Sequence, residues 1–435
     1  MTPELLELLA PPAPAGGAPA GPTLADRALA LGAGGAAEVL AAAAALAASG
    51  HHVVRLEVGE PDAPTPPHVV EAGVRALRAG HTRYGPPAGL PELRAAVAES
   101  LRARGVPADP ARVVVTPGAK AMIFATLLAA VRPGDEVLVP DPGYPAYAAV
   151  AEFAGGRAVR YRLRAERGFG VDVGEVAARC TLRTRVLVLN TPHNPTGGVA
   201  DPAALAGLAA LAAERDLLVL SDEVYARHAY GEAPHEGGPA GIAALPGAAA
   251  RTVVVDGFSK AYAMTGWRLG YGLLPPALVG PVTALVANSA SCTPAFVQHA
   301  GLAALAGPQD WVAAQAAEFR RRRDQLVAAL NGIDGVRCAT PGGAFYAFPS
   351  VAGVLARGGP ADGTLAADTL AADTLATEAF ARHLLERHGL ACVPGTVFGP
   401  AGAGHLRLAY TASREDLALA VERLRAGAAA WAERS

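Results

Sequence analysis

Five short runs of valine and leucine, separated by stretches with helical character, restrict this chain more than anything else in it. They span 112–115, 135–139, 185–190, 217–222 and 252–256. Near-continuous apolar strands of this kind are buried on both faces. Helices between them must do the covering, so the runs predict an α/β fold with a mostly parallel sheet. On such sheets ligands sit beyond the carboxyl ends of the strands. Asn194, Asp222 and Lys260 each fall just after a strand, on that one edge.

The rest of the chain reads around this centre. Residues 1–24 are rich in Pro, Ala and Gly and read as a disordered tail. An Ala-rich helix is expected over 25–49, a strand over 53–58, and helices over 67–79 and 90–104. One long helix is expected over 294–330, with Arg320 to Arg323 on a solvated face. The last hundred residues suggest a smaller α+β unit, with strands at 344–348, 390–393 and 405–410. Within it, 364–376 repeats a five-residue unit that fits neither a solenoid nor a heptad. It is expected to be a mobile surface insertion.

Composition removes whole function classes. A net charge of −2 over 435 residues argues against nucleic acid as the main partner. Gly, Pro, Arg and Asp interrupt every apolar run before it reaches membrane-span length. Cys180, Cys292, Cys338 and Cys392 lie far apart, with no metal or redox spacing. Reduced thiols and a cytoplasmic setting follow as expectations. The N-terminus lacks the pattern of a secretory signal.

Of 37 basic residues, 35 are arginine; the lysines are Lys120 and Lys260. Only an amine can lose its proton near neutral pH and condense with an aldehyde, whereas a guanidinium stays charged. Lys260 is therefore a candidate for Schiff-base chemistry, against the plain alternative of a surface lysine. Ser259 beside it and Arg268 eight residues on suit a phosphate. Amine and phosphate clamp together point to pyridoxal phosphate. Gly118, between a strand and a helix, would let an anion approach free backbone N–H groups. Lys120 either joins that anion site or faces solvent. Asp222 ends an apolar strand; a buried carboxylate there would pair with a pyridinium, or it caps a helix. Tyr225 and Asn194 would reach the ring oxygen. Tyr144 would stack on the ring, or it is a core aromatic. Arg407, between apolar neighbours, suits a carboxylate ligand or a structural ion pair.

The combination Gly59-Glu-Pro-Asp62, Tyr84-Gly-Pro-Pro-Ala-Gly89, Asn190-Thr-Pro-His-Asn194-Pro-Thr-Gly197, Ser221-Asp-Glu-Val-Tyr225, Ser259-Lys260 through Arg268, and Arg407 resembles the class I/II aminotransferases, pyridoxal phosphate enzymes of fold type I. The resemblance implies a seven-stranded, mostly parallel sheet in a large domain, 67–300. It implies a smaller domain built from 25–66 and 301–435, with the low-complexity insertion near 358–377. It implies Lys260 as the internal aldimine and proton shuttle, Asp222 at the pyridine nitrogen, and Tyr225 and Asn194 at the ring oxygen. Tyr144 would stack, and Gly118, Ala119, Ser259 and Arg268 would bind phosphate; Lys120 stays unsettled. Tyr84 would reach the phosphate of a neighbouring subunit in a homodimer. Arg407, Asn194 and the backbone of Gly59 would hold a substrate α-carboxylate. The reaction implied moves an amino group from an L-amino acid to a 2-oxo acid. Many family members carry a serine where this chain has Gly257, and no second arginine for a side-chain carboxylate is evident. The same fold also hosts carbon–sulfur lyases, oxidases, decarboxylases and amino-acid-sensing regulators.

Overall fold

The computed structural model describes residues 35–231, 238, 240–357 and 369–433, with Ala25, Arg27, Ala28 and Leu31 before them. Contacts divide the chain into Met1–Gly32 and Ala33–Ser435; the account below concerns the second unit. The expected tail, 1–24, and residues 26, 29, 30 and 32–34 of the first helix lie outside the described residues, and that helix is described over Gly35–Ala48.

Twelve strands occur among the described residues: β1 (Val54–Arg55), β2 (Val113–Thr116), β3 (Glu136–Asp141), β4 (Arg157–Arg162), β5 (Thr184–Asn190), β6 (Leu218–Asp222), β7 (Thr252–Gly257), β8 (Gly270–Leu273), β9 (Tyr346–Ala347), β10 (Leu390–Ala391), β11 (Val393–Pro394) and β12 (Leu406–Ala409). Seven form one sheet in the order β2-β8-β7-β6-β5-β3-β4. All neighbours run parallel except β8, which is antiparallel to β2 and β7.

Alternate residues of a strand point to opposite faces, and both faces are dry. Val186 and Val188 join one apolar cluster with Ile123 and Val150 from two helices. Leu187 and Leu189 join another with Leu205 and Leu208 of the helix Pro202–Glu214. This is why the strands read as unbroken Val/Leu runs.

Two sheet strands escaped the pattern. Edge strand β4 carries arginines at 157, 160 and 162 and is mostly solvent-facing. Strand β8 is half glycine, because a Cβ on Gly270 would come within 2.3 Å of Ala119 N. The chain leaves the sheet at the end of β7, passes through Lys260 and returns as β8, so Lys260 sits in a loop pinned at both ends.

Two expectations need correction, and a third falls partly outside the described residues. The helix expected over 294–330 is two, Ala295–Ala306 and Asp310–Asn331. Pro308 lacks the N–H a continuing helix requires and disfavours helical backbone at Gly307. The Arg320 to Arg323 face is not simply solvated. Arg322 donates to Asp62 and to the Thr411 carbonyl, while Arg323 is buried over the Tyr230 ring and donates to the Pro341 carbonyl. Part of the insertion near 358–377 lies outside the described residues. From Thr369 the repeat is helical, opening the helix Thr369–His388, with Thr377 fully buried.

The remaining short strands form a parallel pair, β1-β10, and an antiparallel sheet, β11-β12-β9. Ala409 N donates to the Leu56 carbonyl at 2.8 Å, tying the 53–58 segment to β12.

Candidate active site

A cavity of about 430 Å³ opens at the carboxyl ends of the central strands. Lys260 lines it, with its Nζ donating to the Gly59 carbonyl at 2.6 Å. Burial pushes its pKa down to about 8; Arg407 adds to the fall, while Glu60 opposes it. Gly59 must be glycine because a Cβ would sit 2.2 Å from the Tyr346 hydroxyl.

Asp222 ends β6 beside Asn190 of β5. Its Oδ2 accepts from the Tyr147 hydroxyl at 2.6 Å, and its Oδ1 from Val224 N at 3.3 Å. Burial lifts its pKa to about 6. No cationic side chain among the described residues forms an ion pair with it. A buried carboxylate left this way is costly, and a pyridinium N–H would offset that cost.

Arg407 comes from β12 and is 6% exposed. It donates to the Glu57 carbonyl at 2.6 Å and to Asn194 Oδ1 at 3.3 Å. Its Nε has no partner, and no described acid pairs with it. The Tyr346 and Phe398 rings flank the guanidinium at 4.7 and 5.0 Å. The structural ion pair considered for Arg407 is absent among the described residues. Asn194 lines the same cavity, its backbone N held by Asn190 Oδ1 at 2.9 Å. Tyr225 is buried, with its hydroxyl 2.8 Å from that of Tyr346.

The anion end is built on Gly118, the residue before the helix Ala119–Ala130. Its φ is +88°, and a Cβ there would lie 2.4 Å from Arg268 Nη2. That space is a cradle a side chain would fill. Arg268 is fixed by a bond from Nη1 to the Thr265 carbonyl at 2.8 Å. Ala119, Lys120, Ser259, Thr265 and Arg268 all line the cavity; Gly118 touches it through Arg268. Lys120 Nζ lies 5.6 Å from the centre of the half-buried Tyr144 ring, which also lines the cavity. Tyr84 is elsewhere, 89% exposed.

Some participants carried no readable signal. Tyr147 meets Asp222, and the only hint was its place one helical turn after Tyr144. Tyr346 read as an ordinary strand residue. Arg104 read as a helix end, yet it is 3% exposed, contacts Glu223 and lies 3.6 Å from Asp256. Burial lifts Asp256 to about 6, and Arg104 opposes that. No stretch of sequence joins these three residues.

A family model for aminotransferase class I and II matches residues 51–424. The chain belongs to this family. The aspartate aminotransferase of Musicola paradisiaca is 36% identical over 377 residues, covering 86% of this aminotransferase and 89% of that protein. The aspartate/prephenate aminotransferase of Thermus thermophilus is 38% identical, covering 88% and 93%. Among solved structures, the Rhizobium meliloti aspartate aminotransferase matches with a TM-score of 0.85 at 34% identity, over 94% and 99% of the two chains. The Thermus thermophilus aspartate aminotransferase solved with maleate gives 0.83 at 36%, over 94% and 100%. The protein is therefore a pyridoxal-phosphate-dependent aminotransferase of fold type I, with amino acid and 2-oxo acid substrates. None of these comparisons favours the lyase, oxidase, decarboxylase or regulator readings. The cavity fits the cofactor on three counts: the uncompensated Asp222, the Gly118–Arg268 cradle and the amine of Lys260. No described helix is long and apolar enough to cross a membrane.

Proposed function

We propose that Lys260 is the residue that carries the pyridoxal phosphate and moves the proton at the substrate's Cα. When bound, the cofactor supplies an electrophilic carbon for amine exchange and a ring that accepts electrons. One observation carries this reading. A single cavity gathers an amine shifted toward neutrality, an uncompensated carboxylate and an unpaired guanidinium from three distant parts of the chain.

Asp222 holds the ring nitrogen protonated, and Tyr147 steadies that carboxylate. Tyr225 and Asn194 donate to the ring oxygen. Tyr144 packs on the ring, and Gly118, Ala119, Ser259 and Arg268 take the phosphate. Lys120 shares that end of the cavity. Arg407, with Asn194 and Gly59, positions the α-carboxylate. Lys260, with its pKa pushed down to about 8 by burial, is suited to take and return a proton.

The same reading keeps 67–300 as the cofactor domain and joins 25–66 to 301–435; the β1–β10 pairing supports it. It makes the active unit a homodimer, in which the exposed Tyr84 reaches a neighbouring phosphate. Four free thiols support a reducing, cytoplasmic setting. Relatives named aspartate aminotransferases make aspartate the first donor to test.

The test has two parts. Borohydride reduction of the holoenzyme should fix the cofactor to the peptide holding Lys260, and label on any other peptide would overturn the assignment. In a separate, unreduced sample, single amino acids, aspartate first, should bleach the bound cofactor's absorbance and release one oxo acid per site. Continued release without an acceptor would point to a lyase or an oxidase instead.

A further inference from the structure

A second cavity of about 510 Å³ lies apart from the active site. Its size is that of ordinary small-molecule sites, about 300–1,000 Å³. One wall is the segment leaving edge strand β4, which Phe169 N folds back onto the Arg164 carbonyl at 2.9 Å. The opposite wall is fixed by paired backbone bonds between Arg337 and Ser350, at 3.0 and 2.7 Å. Neither wall comes from a loop that stands alone.

The lining has a definite chemistry. Arg162, Arg164 and Arg337 face the cavity, and none forms an ion pair among the described residues. Arg337 uses one nitrogen on the Val336 carbonyl at 2.8 Å. Arg162 also acts on Asp141 behind the wall, where Arg160 acts more strongly. Glu166 is the one carboxylate in the lining. Burial lowers the His405 pKa, so that ring is neutral at pH 7 and adds no charge. Three guanidiniums against one carboxylate leave two positive charges. The aromatic part of the lining is the half-buried His405 ring, backed by the buried Phe348 ring at 5.0 Å with 9° between planes and met edge-on by the buried Phe169 at 6.2 Å.

We infer that this cavity binds a small organic dianion with a flat body, its charges on Arg162, Arg164 and Arg337 and its face against the half-buried His405 ring that Phe348 backs. Guanidinium forks suit carboxylate and phosphate alike, and a planar ring or conjugated chain suits the half-buried His405 ring. The site is distinct from the catalytic one. Phe398 stands between them, its ring 5.0 Å from the Arg407 guanidinium and 6.2 Å from Phe348.

Calorimetry on the holoenzyme tests this with three probes: phenyl phosphate, isophthalate and inorganic phosphate. Phenyl phosphate or isophthalate should saturate one site per chain, at least about tenfold more tightly than inorganic phosphate. The better of the two identifies the headgroup. The double substitution Arg164→Gln/Arg337→Gln should weaken that binding by about tenfold or more, with melting temperature and turnover unchanged. Arg407→Ala should leave it unchanged. The inference falls if both flat probes fail to saturate. It also falls if they bind no better than inorganic phosphate, survive the double substitution, or are lost in Arg407→Ala.

Discussion

At the scale of single residues, the active site runs on groups placed where water would not leave them charged. Lys260→Ala should still bind pyridoxal phosphate without a covalent link and lose about 10⁴-fold in turnover, measured by borohydride trapping and steady-state kinetics. Arg407→Ala should mainly raise KM, lowering kcat/KM by about 10²-fold or more, since a buried charge partner is lost. Asp222 makes a sharper prediction. Burial raises its pKa from the usual carboxylate range to about 6. Between those values the folded chain holds a proton that the unfolded chain has lost, so ionised Asp222 destabilises the cofactor-free fold above pH 6. Asp222→Asn removes that cost. Without cofactor it should melt higher than the wild type at pH 7.5, by roughly 1–3 kcal/mol of stability, and equally near pH 4. Calorimetric scans at the two pH values decide it; an unchanged difference would mean that Asp222 is already compensated. Scarcity made Lys260 legible in the sequence. Tyr147 and Tyr346 were not, because a tyrosine in a helix or strand is ordinarily core.

At the scale of elements, the site depends on where strands stop. The β2 to helix turn works only through Gly118, whose positive φ and missing Cβ leave room for Arg268. Gly118→Ala should keep the helix Ala119–Ala130, seen by circular dichroism, yet weaken cofactor binding by about tenfold or more. An unchanged cofactor affinity would show that the phosphate does not sit there. Beneath the same edge, Arg104 from the turn after the helix Pro91–Ala103 meets Glu223 beyond β6 and Asp256 of β7. Arg104→Leu would strand two buried carboxylates and should cost about 3–5 kcal/mol. The loss should shrink below pH 6 as Asp256 takes a proton. Melting temperatures at pH 5 and pH 8 read both effects. Five of the seven sheet strands were plain in the sequence, while edge strand β4, rich in arginine, was not. Strand β8 was hidden because glycines selected for close approach carry no β signal, and the Gly307-Pro308 break was masked by apolar periodicity continuing on both sides.

At the scale of the whole molecule, Tyr84 is the residue that a single chain leaves unexplained, 89% exposed within a family motif. If it completes a neighbour's site, mixing Tyr84→Ala with Lys260→Ala chains should restore activity that neither parent has, because one hybrid site holds both intact residues. A mixture no more active than the sum of its parents would separate Tyr84 from catalysis. By itself, the sequence determined five of the seven sheet strands, the edge where ligands bind and the residues that follow those strands. Those depend on local apolar runs and on residue chemistry that has no substitute. The tertiary structure alone decided which distant groups meet: Tyr147 with Asp222, Tyr346 with Tyr225, Arg104 with two acids, and three arginines around a second cavity. Such meetings are set by packing between segments that are distant in the chain, and no local pattern encodes them.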